Sequence, residues 1–280
     1  MTTQAPAITE AATSRFVRIH EGDLDLQLHY NDCGEGAETV VMLHGSGPGV
    51  TAWANWRLTI PELAKRSRVL APDLVGFGYT ERPQGVQYGL DAWVSHAVGV
   101  LDALDVERAD VVGNSFGGAI ALALAIRHPK RVRKLVLMGS VGIPFQITPA
   151  LDAVWGYQPS FEAMRGLLDL FAYDRALATD ELAELRYRAS IQPGFQGFVV
   201  QKQIIAKHLG RAAGIVLGIA ADVLGQRRAH RQQPIIAHDR IDDPFGQHMH
   251  LFDNGAKDAV IGLGRQGGDI AALAQAPGQV

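Results

Sequence analysis

The chain has little that would commit it to nucleic acid, to a membrane or to an oxidising compartment. Its 26 Lys and Arg stand against 29 Asp and Glu, a net charge of −3 over 280 residues. That balance is too even for a surface that tracks phosphates. A single cysteine, Cys33 in "YNDCGEG", excludes an internal disulfide, and its loop carries no base that would make it a nucleophile. The opening "MTTQAPAITEAATS" lacks the charged and apolar regions of a secretion signal and reads as a disordered leader, residues 1–15. The longest late apolar stretch, "GIVLGIAADVLG", falls short of the roughly 20 apolar residues a bilayer span needs. These absences predict a cytoplasmic protein that binds neither nucleic acid nor membrane.

One further absence is local. Between residues 197 and 280 there is no Ser, Thr, Glu, Tyr, Trp or Cys, while Gly, Ala, Gln, Arg and His abound. No tandem repeat or linker composition accounts for such a gap.

Ahead of that segment the pattern is regular. "FVRIH" and "LDLQLHY" alternate about "EGD", as an antiparallel hairpin does. "ETVVML", "RVLAP", "ADVVGN" and "VRKLVLM" are apolar throughout, and the helical patterns "AWANWRLTIPELAK", "DAWVSHAVGVLDALDV" and "GGAIALALAIRHP" lie between them. Continuous apolar strands alternating with helices predict a mostly parallel sheet covered on both faces, over residues 16–145. Residues 146–196 read as a helical cap, with Asp174 and Asp180 as helix-start candidates.

The chemistry concentrates in "VVGNSFGGAIALALA". A Gly-x-Ser-x-Gly is weak alone, but here it follows a buried strand and opens a helix of small residues, as a nucleophile elbow requires. Ser115 is the candidate nucleophile. An acyl-transfer site also needs two N–H donors for the developing oxyanion. Phe116, just after the serine, supplies one, and Ser46 in "HGSGPG" lies where the second belongs. That loop has no Gly-Lys-Ser/Thr, which argues against phosphate binding, and His44 reads as structural rather than as the base.

"MLHGSGPGVTAWANWR", "APDLVGFGYTERP", "VVGNSFGG", "LALAIRHPKRVRKLVLMGS", "LDAVWGYQPSF" and "DELAELRYRASIQPGF" resemble the meta-cleavage product hydrolases. These are α/β-hydrolases that cut carbon–carbon bonds in the ring-fission products of aromatic degradation, and the resemblance runs from about Phe16 to Gln196. It implies that Ser115 is the nucleophile and that Ser46 and Phe116 form the oxyanion hole. It further implies that Asn55, Asn114 and Arg186 hold the dienol and carboxylate end of a small dienoate substrate, with Trp53 and Trp155 as packing. Arg suits that task because its planar fork matches a carboxylate. The implied reaction converts 2-hydroxymuconate semialdehyde, or an alkyl analogue, to 2-hydroxypenta-2,4-dienoate and a small acid. It needs no cofactor and no metal, and the resemblance allows a homo-oligomer.

The resemblance stops where the composition shifts. Such enzymes order their triad Ser, acid, His, with the acid in "HGxxD" and the base in "GHW". Neither motif occurs here, and family spacing would put them near Ile236 and Gly264. The weak candidates are Asp242 and His250 in "IIAHDRIDDPFGQHMHLF". A divergent or frame-altered segment at 197–280 accounts for the lost motifs and the lost residue types together. Three readings stay open: a carbon–carbon bond hydrolase, a general serine carboxylesterase of the same fold, or a non-catalytic truncated or frame-altered chain. Without a base, little turnover is expected.

Overall fold

A computed structural model describes residues 8–141, 148–193, 236–242, 248–253 and 259–264, the last three spans as backbone. Its frame is a nine-stranded sheet in the order β1-β2-β4-β3-β5-β6-β9-β8-β7. The strands are β1 (Ser14–Glu21), β2 (Leu24–Cys33), β3 (Thr39–Leu43), β4 (Arg68–Pro72), β5 (Ala109–Asn114), β6 (Val132–Met138), β7 (Ile236–Asp242), β8 (His248–Asp253) and β9 (Ala259–Gly264). Five central strands, β4-β3-β5-β6-β9, run parallel, and antiparallel pairs close both ends. The β1–β2 hairpin turns at Gly22, whose φ of 57° suits a residue without a Cβ.

Alternation along the central strands shows why both faces are covered. Val41, Leu43, Leu70 and Val111 join the cluster under α4 (Leu90–Ala103) and α5 (Phe116–Arg127). Their neighbours Val40, Met42, Val69 and Ala71 meet Trp56 and Ile60 on the opposite face. A period of two against two helical layers leaves no polar side, so the strands are apolar throughout.

Three details differ from the expectation. "AWANWRLTIPELAK" is not one helix but two, α2 (Ala52–Trp56) and α3 (Ile60–Leu63), broken where Thr59 starts the second with Pro61 in its first turn. Part of the expected leader is built into the fold. A short helix, α1 (Glu10–Thr13), is capped by Thr9, buries Thr13 and leads straight into β1 at Ser14. In the cap, Asp174 starts only a 3₁₀ turn, Arg175–Leu177, while Thr179 rather than Asp180 caps α8 (Asp180–Ser190).

Over residues 148–193 the chain is helical: α6 (Pro149–Trp155), α7 (Phe161–Phe171) and α8. Val154, Tyr157, Met164, Leu167 and Leu168 pack there as a small core of their own. Of the late apolar runs, "AVIGLG" forms β9 against β6. "GIVLGIA" lies outside the described residues. No helix among the described residues is long and apolar enough to cross a membrane.

Candidate active site

Ser115 sits between β5 and α5 with φ 51° and ψ −112°, a conformation a side-chain-bearing residue adopts only when its surroundings enforce it. The enforcement is visible. The Ser115 amide donates to the Met138 carbonyl at 2.8 Å, and the Ser115 carbonyl accepts from the Gly118 and Val141 amides at 3.1 Å. Glycines flank the turn for a steric reason. A Cβ on Gly113 would lie 2.5 Å from the Gly117 carbonyl oxygen, and one on Gly117 would press into the Leu43 and His44 carbonyls. Strand and helix therefore approach more closely than any larger residue permits. The turn leaves the Ser115 side chain half-buried, and its hydroxyl has no hydrogen-bond partner among the described residues.

Phe116 is the first residue of α5, where the helical ladder provides no acceptor for an amide. Ser46 lies in the loop after β3, half-buried, with its amide unpartnered among the described residues. Two N–H groups beside the elbow therefore have no acceptor among the described residues. The Gly45 amide is not a third, because it donates to Asn55 Oδ1 at 3.1 Å.

Asn55, on α2, ties the site together. Its Oδ1 also accepts from Asn114 Nδ2 at 3.0 Å. A Cβ on Gly45 would lie 3.3 Å from Asn114 Nδ2 and 3.4 Å from Ser115 Cβ, so the donor loop abuts the elbow. Asn55, Asn114, Gly45 and Ser115 thus form one contiguous group.

Arg186 reaches the same loop from α8. Its Nη2 and Nε donate to the Pro48 carbonyl at 2.8 and 3.2 Å. Its guanidinium lies 5.3 Å from the Phe171 ring centroid. A Cβ on Gly47 would sit 3.1 Å from Nη2. No carboxylate pairs with Arg186 among the described residues, and burial lowers its pKa to about 10, which still leaves it charged at neutral pH. A partly desolvated guanidinium without a counter-ion favours an anion beside it. The roles of the Pro48 carbonyl and the Phe171 ring escaped the sequence reading, for a carbonyl acceptor and a stacking ring leave no motif.

His44 behaves as expected of a structural residue. It is wholly buried, Nε2 accepts from the Leu74 amide at 3.0 Å, and Nδ1 lies 2.7 Å from the Gly45 carbonyl. Burial pushes its pKa below the ordinary histidine value, so it stays neutral. Trp53 packs against the α2–α3 face, and Trp155 lies in α6.

Asp242 and His250 are on the distal strands. Asp242 pairs with His248, and His250 with Arg240 and Gly262. β8 stands three strands from β5 and β7 four. At about 4.8 Å per strand the backbone of His250 is roughly 14 Å to the side of the elbow. The described backbone does not bring these two candidates to Ser115. The family-spaced positions Ile236 and Gly264 fall at the start of β7 and the end of β9.

Residues 38–246 match the model of the alpha/beta hydrolase fold family. The chain is 69% identical over 170 residues to a 2-hydroxymuconate semialdehyde hydrolase of Pseudomonas sp. (strain CF600), covering 61% of this chain and 60% of that protein. It is 62% identical over 175 residues to a 2-hydroxy-6-oxo-2,4-heptadienoate hydrolase of Pseudomonas putida, covering 62% of each. Among solved structures, a meta-cleavage product hydrolase from Pseudomonas fluorescens IP01 superposes with a TM-score of 0.61 at 55% identity, over 66% of each chain. The chain spans about 60% of the length of these curated relatives.

Proposed function

Since the chain belongs to the alpha/beta hydrolase fold family, we propose that its chemistry is hydrolysis of a carbon–carbon bond in a meta-ring-fission product, 2-hydroxymuconate semialdehyde or an alkyl analogue. The carrying observation is the shared neighbourhood of a strained serine, the Asn55–Asn114 bridge and Arg186, which has no carboxylate partner among the described residues, around one glycine loop. Arg186 takes the substrate carboxylate in its fork, and the Asn55 and Asn114 amides orient the enol oxygen. Tautomerisation to the keto form makes the chain an electron sink. Ser115, or a water it orients, adds to the distal carbonyl, and the Ser46 and Phe116 amides meet the oxyanion. When water is the nucleophile, fragmentation releases 2-hydroxypenta-2,4-dienoate and a small carboxylic acid directly. When Ser115 adds, it releases the dienoate and leaves an acyl ester on Ser115 that one water hydrolyses to the same acid and the free hydroxyl, with no cofactor taking part. The composition of the chain supports a cytoplasmic protein, and the resemblance allows a homo-oligomer.

Binding and turnover separate in this reading. The described residues carry the binding groups and the nucleophile, but no imidazole is hydrogen-bonded to Ser115 among them. Loss of the triad histidine lowers kcat on the order of a millionfold in a serine hydrolase. Mixing the purified chain with the yellow ring-fission product tests both parts. The expected result is a change in the visible spectrum on binding, lost in Arg186→Ala, with turnover no faster than in Ser115→Ala. Rapid Ser115-dependent bleaching would show that the late segment does deliver a base, and Asp242 and His250 would be mutated first. Failure to bind the product, with cleavage of short p-nitrophenyl esters, would replace this function with the carboxylesterase reading.

A further inference from the structure

A second serine in this chain has the partners that the Ser115 hydroxyl lacks among the described residues. Ser14 opens β1, and its Oγ lies 2.8 Å from His29 Nε2 on β2. The other ring nitrogen, Nδ1, lies 2.8 Å from Asp73 Oδ2 just past β4. Phe16 stands opposite His29 and Ser14 opposite Asn31, so Ser14, Phe16 and His29 share one face of the hairpin. The hydroxyl, imidazole and carboxylate are therefore strung in line across three neighbouring strands.

Each link is fixed from outside. Asp73 is fully buried, and its oxygens accept from the Ala52 amide at 2.6 Å and the Tyr79 amide at 2.8 Å. Burial works against its charge, but the hydrogen bond from His29, the nearby His29 and His44 rings and the Ala52 amide outweigh it. Its pKa accordingly lies below the ordinary carboxylate value. A carboxylate only accepts, so His29 Nδ1 carries the proton between them. In the neutral imidazole Nε2 then presents a lone pair to the Ser14 hydroxyl. The His29 ring is 2% exposed and lies between Phe16 and Tyr79, at centroid distances of 4.9 and 5.3 Å. It cannot readily turn away.

We propose that Ser14 is an activated serine, a modification site for acyl and phosphonyl electrophiles bearing an apolar group, with His29 as base and Asp73 as the carboxylate that orients it. Ser14 is only partly buried, and Phe16, 54% exposed, flanks it with an apolar ring. With an alkyl fluorophosphonate, Ser14 Oγ attacks phosphorus, the P–O bond forms, and the P–F bond breaks with its electron pair leaving on fluoride. The hydroxyl proton passes to His29 Nε2 and then to water. The Ser14 amide cannot serve as an oxyanion donor, because it is already bonded to the Glu10 carbonyl. A missing donor slows such chemistry by about a hundredfold to a thousandfold. The site is modified once and slowly, and it does not turn over.

The test uses the full chain carrying Ser115→Ala, so that the elbow does not consume the probe. After exposure to an alkyl fluorophosphonate and digestion with trypsin, Ser14 falls in the peptide ending at Arg15, the first basic residue of the chain. Tandem mass spectrometry should place the label on Ser14 rather than on the threonines of that peptide. The rate should be at least tenfold higher in the folded chain than in concentrated urea, and Ser14→Ala should abolish the label. His29→Gln that retains a native circular dichroism spectrum should label at least tenfold more slowly. No label on Ser14, equal rates in folded and unfolded chain, or full-rate labelling of folded His29→Gln would each overturn the proposal. Should His29→Gln fail to fold, the comparison with urea decides.

Discussion

Acid should weaken this fold in part through His96 on α4, beside the contributions of His44 and Asp73. Its side chain is wholly buried, and neither ring nitrogen has a partner among the described residues. Burial, reinforced by the neighbouring His44 ring and only partly opposed by Asp73, lowers its pKa from 6.5 to about 3. In the unfolded chain the ring regains its ordinary value. The folded pKa lies below the unfolded one, so between those values the unfolded state holds the extra proton. Stability is therefore intact above pH 6.5 and is lost progressively as pH falls toward 3. Over the whole interval the loss approaches about 5 kcal/mol, and at pH 5 it is about 2 kcal/mol. Against a typical total of about 5–15 kcal/mol this is a large share. His96→Leu removes the titration and the two orphaned nitrogens while keeping an apolar side chain of similar size. Thermal melts followed by circular dichroism at pH 7, 6 and 5 should show the parent losing roughly 4–8 °C more than His96→Leu between pH 7 and 5. At pH 7 the variant should be at least as stable as the parent. If the two melting curves fall in parallel with pH, His96 is not an acid-sensitive group and the reasoning fails.

Other substitutions probe the elbow and its supports. Gly117→Ala would drive a methyl into the Leu43 and His44 carbonyls, so urea unfolding should show a loss of about 3 kcal/mol, at the upper end for overpacking. Thr179 Oγ1 accepts from the Leu182 amide at 3.1 Å at the start of α8. Thr179→Ala should lower stability by about 1 kcal/mol, and ligand titration should show weaker dienoate binding because α8 carries Arg186. Asn55→Ala leaves the Gly45 amide and Asn114 Nδ2 without their shared acceptor. It should lower stability by about 1–3 kcal/mol in urea and slow fluorophosphonate labelling of Ser115 more than that loss explains. Unchanged labelling would show that the bridge does not hold the donor loop.

The sequence by itself determined what local sterics dictate. A strained serine between strand and helix requires glycines around it, and so "GNSFGG" announces the elbow without any knowledge of what packs there. Apolar strands alternating with helices announced the covered parallel sheet for the same reason, since each element must bury its own apolar face. Tertiary structure decided everything that joins distant residues. Arg186 meets the Pro48 carbonyl across 138 positions, a distance no periodicity records. The Ser14–His29–Asp73 chain exists only because β1, β2 and β4 are neighbours, although no motif unites those residues. Likewise α1 joins the fold because Thr9 caps it and Thr13 is buried beneath it, interactions that the polar, Thr- and Ala-rich leader composition does not signal. The late segment shows the same limit from the other side. Its composition marked it as different, but the antiparallel placement of β7 and β8 beyond β9 depends on backbone pairing, for which any residue's N–H and C=O suffice.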